Sequence, residues 1–131
     1  SNYLCVGGIC KYYLRQTMQT ATTTLCAFPT PINTATSTLE SIDWQITTGT
    51  TTAAGIVVNV SSLRYASSTT DLVAAQTVAS GAQASGAFDA STANANQIDA
   101  KEFVLVQTAG KGLSGYTFTG ACQAVFRIMP H

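Results

Sequence analysis

Tyr116-Thr117-Phe118-Thr119-Gly120-Ala121-Cys122-Gln123-Ala124-Val125-Phe126-Arg127-Ile128 is the stretch whose spacing decides the fold class. Its even positions read Tyr, Phe, Gly, Cys, Ala, Phe, Ile, and its odd positions Thr, Thr, Ala, Gln, Val, Arg. A period of two puts the aromatic set and Cys122 on one face of a pleated strand, where a helix would scatter them. Working outward, Thr22 to Phe28 repeats the pattern with Cys26 and Phe28 on one side, and Thr38 to Thr47 with Ile42, Trp44 and Ile46 inward. Gly55 to Val60 alternates as well, then slips phase at Ser61-Ser62 so that Leu63 and Tyr65 become the apolar positions, a bulge or bend. Glu102 to Gln107 is nearly continuous in apolar character, as a central strand buried on both faces would be. Leu72 to Ala79 is Ala-rich and reads as an edge strand. Ser80 to Asn96 reads as a long small-residue loop with one short strand at its middle. Branched and aromatic residues fill these segments, and no stretch carries a helical period. About eight strands at this spacing predict an all-β, two-sheet sandwich of jelly-roll type.

The opening of the chain has a different character. Cys5-Val6-Gly7-Gly8-Ile9-Cys10 is a small cystine loop in waiting, its two glycines permitting a tight turn. Lys11 to Thr20 then alternates with Tyr12, Leu14 and Met18 on one face. This reading divides the chain into an extended N-terminal β arm, residues 1–21, and a sandwich domain, residues 22–131.

Four cysteines stand at 5, 10, 26 and 122. Zinc wants tight Cys pairs or a nearby His, and the only imidazole is the terminal His131, so no metal site is expected. Two disulfides fit better, in an oxidising compartment. Inward-facing Cys26 and Cys122 on an early and a late strand pair as a buried cross-link, leaving Cys5–Cys10 to close the exposed loop.

The chain has 131 residues, enough for one core. Only 9% are charged against roughly 25% in ordinary domains. Six basic residues balance six acidic ones, while 21 Thr, 19 Ala and 11 Ser supply the bulk of the small and hydroxylated positions. A neutral chain without a clustered basic face is no nucleic-acid binder and no polybasic membrane-surface protein. Its longest apolar run, near residues 55–60, is far too short to span a bilayer. Opening at Ser1 without a signal peptide, it reads as a mature or trimmed product.

Catalysis has little to stand on. His131 lies beyond Pro130 at a terminus, so no nucleophile has a base held in place. The carboxylate pairs Glu40/Asp43 and Asp99/Glu102 are offset by three, which on a regular strand puts their members on opposite faces. Asp89, Asn94, Asn96 and Asp99 offer oxygen ligands without calcium-loop spacing and read as turn residues. No enzyme and no cofactor is expected. The surface composition is more telling: sandwiches guard their edges with Lys, Pro and charge, and this chain has three Lys, three Pro and no net charge. The expected role is an extracellular or cell-surface subunit of a filament or lattice whose partner is itself. Residues 11–20 would be the donated strand, with Tyr12, Leu14 and Met18 as interface anchors. The alternative is a glycan-binding adhesin or viral receptor-binding sandwich directed at a host surface, with Tyr12, Tyr13, Tyr65 and Tyr116 as candidate exposed rings.

Residues 12–26, Tyr-Tyr-Leu-Arg-Gln-Thr-Met-Gln-Thr-Ala-Thr-Thr-Thr-Leu-Cys, with Ala35-Thr36-Ser37-Thr38-Leu39 and the closing Gly115 to Ala124, resemble a group of Ser/Thr-rich exported proteins of candidate-phyla-radiation bacteria. The resemblance covers most of the chain from Tyr12 onward and implies an exported β domain with paired early and late cysteines and no assigned activity. The Cys5-to-Cys10 loop lies outside it. A fold-level analogy runs to donor-strand-assembled pilus subunits.

Overall fold

A computed structural model describes residues 2–19, 23–32, 34–50, 56–64, 68–78, 84–89, 96–108 and 117–128. Among the described residues there are ten strands and no helix. They are β1 (Tyr3–Val6), β2 (Ile9–Thr17), β3 (Thr24–Pro29), β4 (Ser37–Thr50), β5 (Ile56–Arg64), β6 (Ser68–Val78), β7 (Ala84–Asp89), β8 (Gln97–Ile98), β9 (Glu102–Thr108) and β10 (Thr117–Ile128). One sheet runs β1-β2-β10-β4-β7, with β8 pairing β4, and the other runs β3-β9-β5-β6. The neighbours in both sheets pair antiparallel.

Set β1 and the two-residue β8 aside, and four pairings define the topology. β2 pairs β10, β3 pairs β9, β4 pairs β7 and β5 pairs β6. That is one long hairpin rolled into two four-stranded sheets, a jelly roll. The β7 pairing uses the short strand expected within Ser80 to Asn96, and β6 lies at an edge as its Ala-rich composition suggested.

The core forms where the two apolar faces meet. Phe28, Val104, Val106 and Leu72 of one sheet pack with Leu39, Ile42, Trp44, Ile46, Ala124 and Phe126 of the other. Leu39 and Ile42 are both fully buried although an ordinary strand would turn them to opposite faces. A register shift between Val125 and Phe126 of β10, opposite Leu39 and Ser41, absorbs the extra residue. The slip expected at Ser61-Ser62 is met on one side of the strand only, and begins a few residues earlier. β5 keeps continuous register with β9, and the shifts fall between β5 and the edge strand β6, beside Val58 to Ser61. β9 is also less uniformly buried than its composition suggests. Val104, Leu105 and Val106 are buried, whereas Phe103 is 42% exposed.

The expectation of a separate arm needs correction. Eight residues of β2, Cys10 to Thr17, pair with Ile128 to Ala121 of the same chain, and β1 pairs the other side of β2. Residues 9–17 are therefore an interior strand of the sandwich, and the boundary between 21 and 22 divides no structural unit. The alternation seen in the sequence is real, but its apolar face is matched by the chain's own core. Tyr12 and Leu14 pack against that core and Met18 is buried in it. Met18 is thereby committed to its own subunit's core, while Tyr12 and Leu14 are half-buried against it.

Candidate functional site

Val6 and Ile9 are joined by Gly7 and Gly8, with φ of +61° and +80°. Two successive positive φ values make the tight hairpin turn whose twist suits antiparallel strands, and nothing lies near either glycine, so conformation alone demands them. The Tyr13 N–H donates to the Asn2 carbonyl at 2.8 Å, which fixes the parity of the ladder. Residues 2, 4 and 6 turn their backbone groups toward β2, and Tyr3 and Cys5 turn theirs away. Cys5 and Cys10 face each other at a site between hydrogen-bonded pairs, where strands approach most closely, and a disulfide joins them with Cα atoms 4.0 Å apart.

β1 ends its sheet, so among the described residues no strand covers its outer edge. All four of its residues are exposed: Tyr3 is 50%, Leu4 60% and Val6 69% accessible. Tyr3 stacks on Tyr12 at 5.1 Å between ring centroids, and Tyr13, on the opposite face of β2, is exposed. A shallow cleft of about 380 Å³ adjoins the hairpin, lined by Asn2, Tyr3, Leu4, Tyr13, Arg15 and Gln123. β1 itself carries no charge.

The first strand of the other sheet presents the opposite picture. On β3 the outward edge belongs to Leu25, Ala27 and Pro29. The Gln16 side chain accepts from the Ala27 N–H at 2.8 Å and donates its Nε2 to the Ala27 carbonyl. The Gln19 N–H donates to the Leu25 carbonyl at 2.9 Å, and Pro29 has no N–H to offer. This edge is closed by its own chain. The second disulfide, Cys26–Cys122, lies buried behind it and ties the two sheets across a sequence separation of 96.

The carboxylates considered for catalysis are held in structural arrangements. Glu40 Oε2 lies 3.2 Å from Lys11 Nζ, and its Oε1 3.8 Å from Arg127 Nη1. The β4 register shift puts Glu40 and Asp43 on the same outer face, contrary to the regular-strand expectation. Glu102 is buried, accepts from the Asp99 N–H at 2.8 Å, and its own N–H donates to the Asp99 carbonyl at 3.1 Å, closing a turn through Lys101 at φ 69°. Among the described residues no three His, Cys, Asp or Glu side chains converge as a metal ligand set. Asn94, Tyr65, Tyr116 and His131 lie outside the described residues. Trp44 is a core residue, paired in register with Cys122. Sequence reasoning missed both Gln16 and the strand β1. An amide side chain capping an edge leaves no periodic signal, and β1 is too short to show alternation.

No family model and no curated protein matches the sequence. Solved structures of similar fold do. The capsid protein of Ralstonia phage GP4 is 17% identical, with a TM-score of 0.58 over 97% of this chain and 88% of that one. A protein of the Bacillus endospore appendages, which are disulfide-linked pili, is 15% identical over all of both chains with a TM-score of 0.48. A capsid protein of cyanophage Pam1 is 18% identical, with a TM-score of 0.40 over 93% of this chain and 85% of that one. At such identities the first of these likenesses speaks for the fold alone.

Proposed function

We propose that this chain is a structural subunit of an extracellular homopolymer, a filament or surface lattice, that assembles by strand addition at the β1 hairpin. The observation that carries this reading is the edge of β1. It combines outward-facing backbone groups, exposed Tyr3, Leu4 and Val6, and no charge on a chain of zero net charge. Such an edge accepts another strand readily, since nothing repels it and backbone bonds reward it. The addition replaces the donated-arm mechanism, because β2 is already paired on both sides. Two disulfides are in keeping with an oxidising setting outside the cytoplasm. The jelly roll shared with the Ralstonia phage capsid protein is a fold compatible with assembly into a shell.

The test is removal of residues 1–8 together with Cys10→Ser, which takes away β1 and leaves every strand of the jelly roll. Negative-stain microscopy and light scattering should find a folded monomer where the full chain forms polymers. Polymers of normal appearance from the truncated chain would refute the proposal. A second reading, a glycan-binding adhesin, has the cleft beside Tyr13 and Arg15 in its favour. A glycan array giving a hit abolished by Tyr13→Ala, on protein that stays monomeric, would favour it instead.

A further inference from the structure

We infer that the partner strand for β1 is β1 of a second copy, paired antiparallel about a two-fold axis at Leu4. This deepens the assembly reading above and rests on it. Tyr3 and Cys5 are the residues of β1 whose N–H and C=O groups point away from β2. Two antiparallel copies of such a strand can be set in several registers. In only one do both residues of both copies find partners within the strands: Tyr3 opposite Cys5 of the second copy, and Cys5 opposite Tyr3. Directly opposed residues of this kind exchange two hydrogen bonds, so the register yields about four, two at each pair. Sliding by two residues centres the pairing on Tyr3 or on Cys5 and carries the other outside β1, before Tyr3 or onto the Gly7 turn.

The side chains agree with that register. Leu4 falls opposite Leu4 of the second copy at the closely spaced kind of site, where facing side chains touch most fully. Both are 60% exposed in the single subunit, so the contact removes apolar surface from water on each side. Asn2 lies opposite Val6 on the same face. On the other face Tyr3 falls opposite Cys5, beside the Cys5–Cys10 sulfurs, which aromatic rings favour as neighbours. Like charges opposed across a two-fold would forbid self-pairing, and residues 2–6 carry none. The cations on the neighbouring strand, Lys11 and Arg15, are one strand removed from the pairing edge, and Lys11 already lies 3.2 Å from Glu40. The neighbouring edge is a poorer partner, because Gln16 takes both Ala27 groups, the Gln19 N–H takes the Leu25 carbonyl and Pro29 offers no N–H. The result is an isologous dimer in which two sheets merge across β1, leaving a β7 strand at each end of the continuous sheet. β1 pairing alone closes at two subunits, so the homopolymer proposed above grows by a second contact, elsewhere on the subunit, that links these dimers.

Position-specific cross-linking tests the register. Leu4→Cys in the full chain, oxidised gently with oxidised glutathione, should link to itself and give a covalent dimer. Peptide mapping should locate the bond between the two position-4 thiols, with Cys5–Cys10 and Cys26–Cys122 intact. Val6→Cys should not link to itself but should link to Asn2→Cys when the two variants are mixed. Leu4→Lys, which sets two ammonium groups against each other, should weaken dimerisation by about tenfold or more, with recovery in high salt. Failure of Leu4→Cys to link while the wild type assembles, or self-linking of Val6→Cys to an equal extent, would overturn the two-fold register. If removal of residues 1–8 still abolished assembly in that case, strand addition at β1 would stand and only the identity of its partner would fall. Normal assembly by the truncated chain would remove both.

Discussion

β1 and β3 each begin a sheet on the same side of the sandwich, and they manage an exposed edge in opposite ways. β3 is covered by its own chain: a glutamine side chain imitates a strand, a backbone N–H fills the next position and a proline removes a donor. Behind it sits a disulfide that is buried and spans most of the sequence. β1 stands open, with apolar side chains exposed and a disulfide that spans only its own turn. The difference teaches that edge exposure here is selective. The chain covers much of one edge and, among the described residues, leaves the other without a neighbour, so the open edge is where association is expected.

The comparison breaks most visibly under truncation. Removing residues 1–20 deletes β2 and Met18 along with β1, so the product should fail to fold, shown by loss of a cooperative thermal transition in circular dichroism. Removing residues 1–8 with Cys10→Ser should leave that transition nearly in place. If both truncations melted alike, β1 and β2 would belong to one unit after all. The two disulfides sharpen the contrast next. Replacing Cys26 and Cys122 by Ala should lower unfolding stability by about 4–5 kcal/mol in the chain-entropy model. Replacing Cys5 and Cys10 by Ser should cost less than about 1 kcal/mol, because the hairpin opens without disturbing the core. Denaturant titrations followed by the fluorescence of buried Trp44 would measure both.

Gly120→Ala probes the closed side's packing. A methyl group there would lie 2.5 Å from the Gln45 carbonyl oxygen and 2.7 Å from Met18 Sδ. The thioether can move but the backbone cannot, so a loss of about 1–3 kcal/mol is expected in the same titration. Gln16→Ala should cost roughly 1–2 kcal/mol, for two neutral hydrogen bonds. Its sharper signature is at the edge itself. The Ala27 amide should exchange with solvent faster, and Gln16→Ala added to the chain without residues 1–8 and with Cys10→Ser should raise light scattering where that truncation alone stays monomeric. An unchanged Ala27 exchange rate would mean that Gln16 does not guard β3.

Much of this was legible in the sequence, and the reasons differ by element. Strands such as β10 declare themselves because one face is buried, and burial writes a period of two into side-chain polarity. The partition of four cysteines followed from the same faces. The partner of β2 was not legible: an alternating strand looks identical whether its own chain or another supplies the neighbour. The burial of Leu39 with Ile42 shows another limit, since a register shift resets parity without any residue type that marks it. Phe103 misled for a related reason, because an apolar residue at a strand end reads as buried whether or not anything covers it. The candidate edge was the least visible, since openness is a property of what fails to pack beside a strand. Only topology records that.

The Cys26–Cys122 bond has a mechanical consequence. A subunit pulled from its ends within any fibre would transmit tension along β2 to residue 26, across the sulfurs to residue 122, and out through the rest of β10. The residues between them, a separation of 96, would carry no load. Fully drawn out, that segment would add about 300 Å of contour per subunit. With the bond intact this length is withheld, and the subunit behaves as a short tether. Reduction would release it, turning a stiff thread into an extensible one.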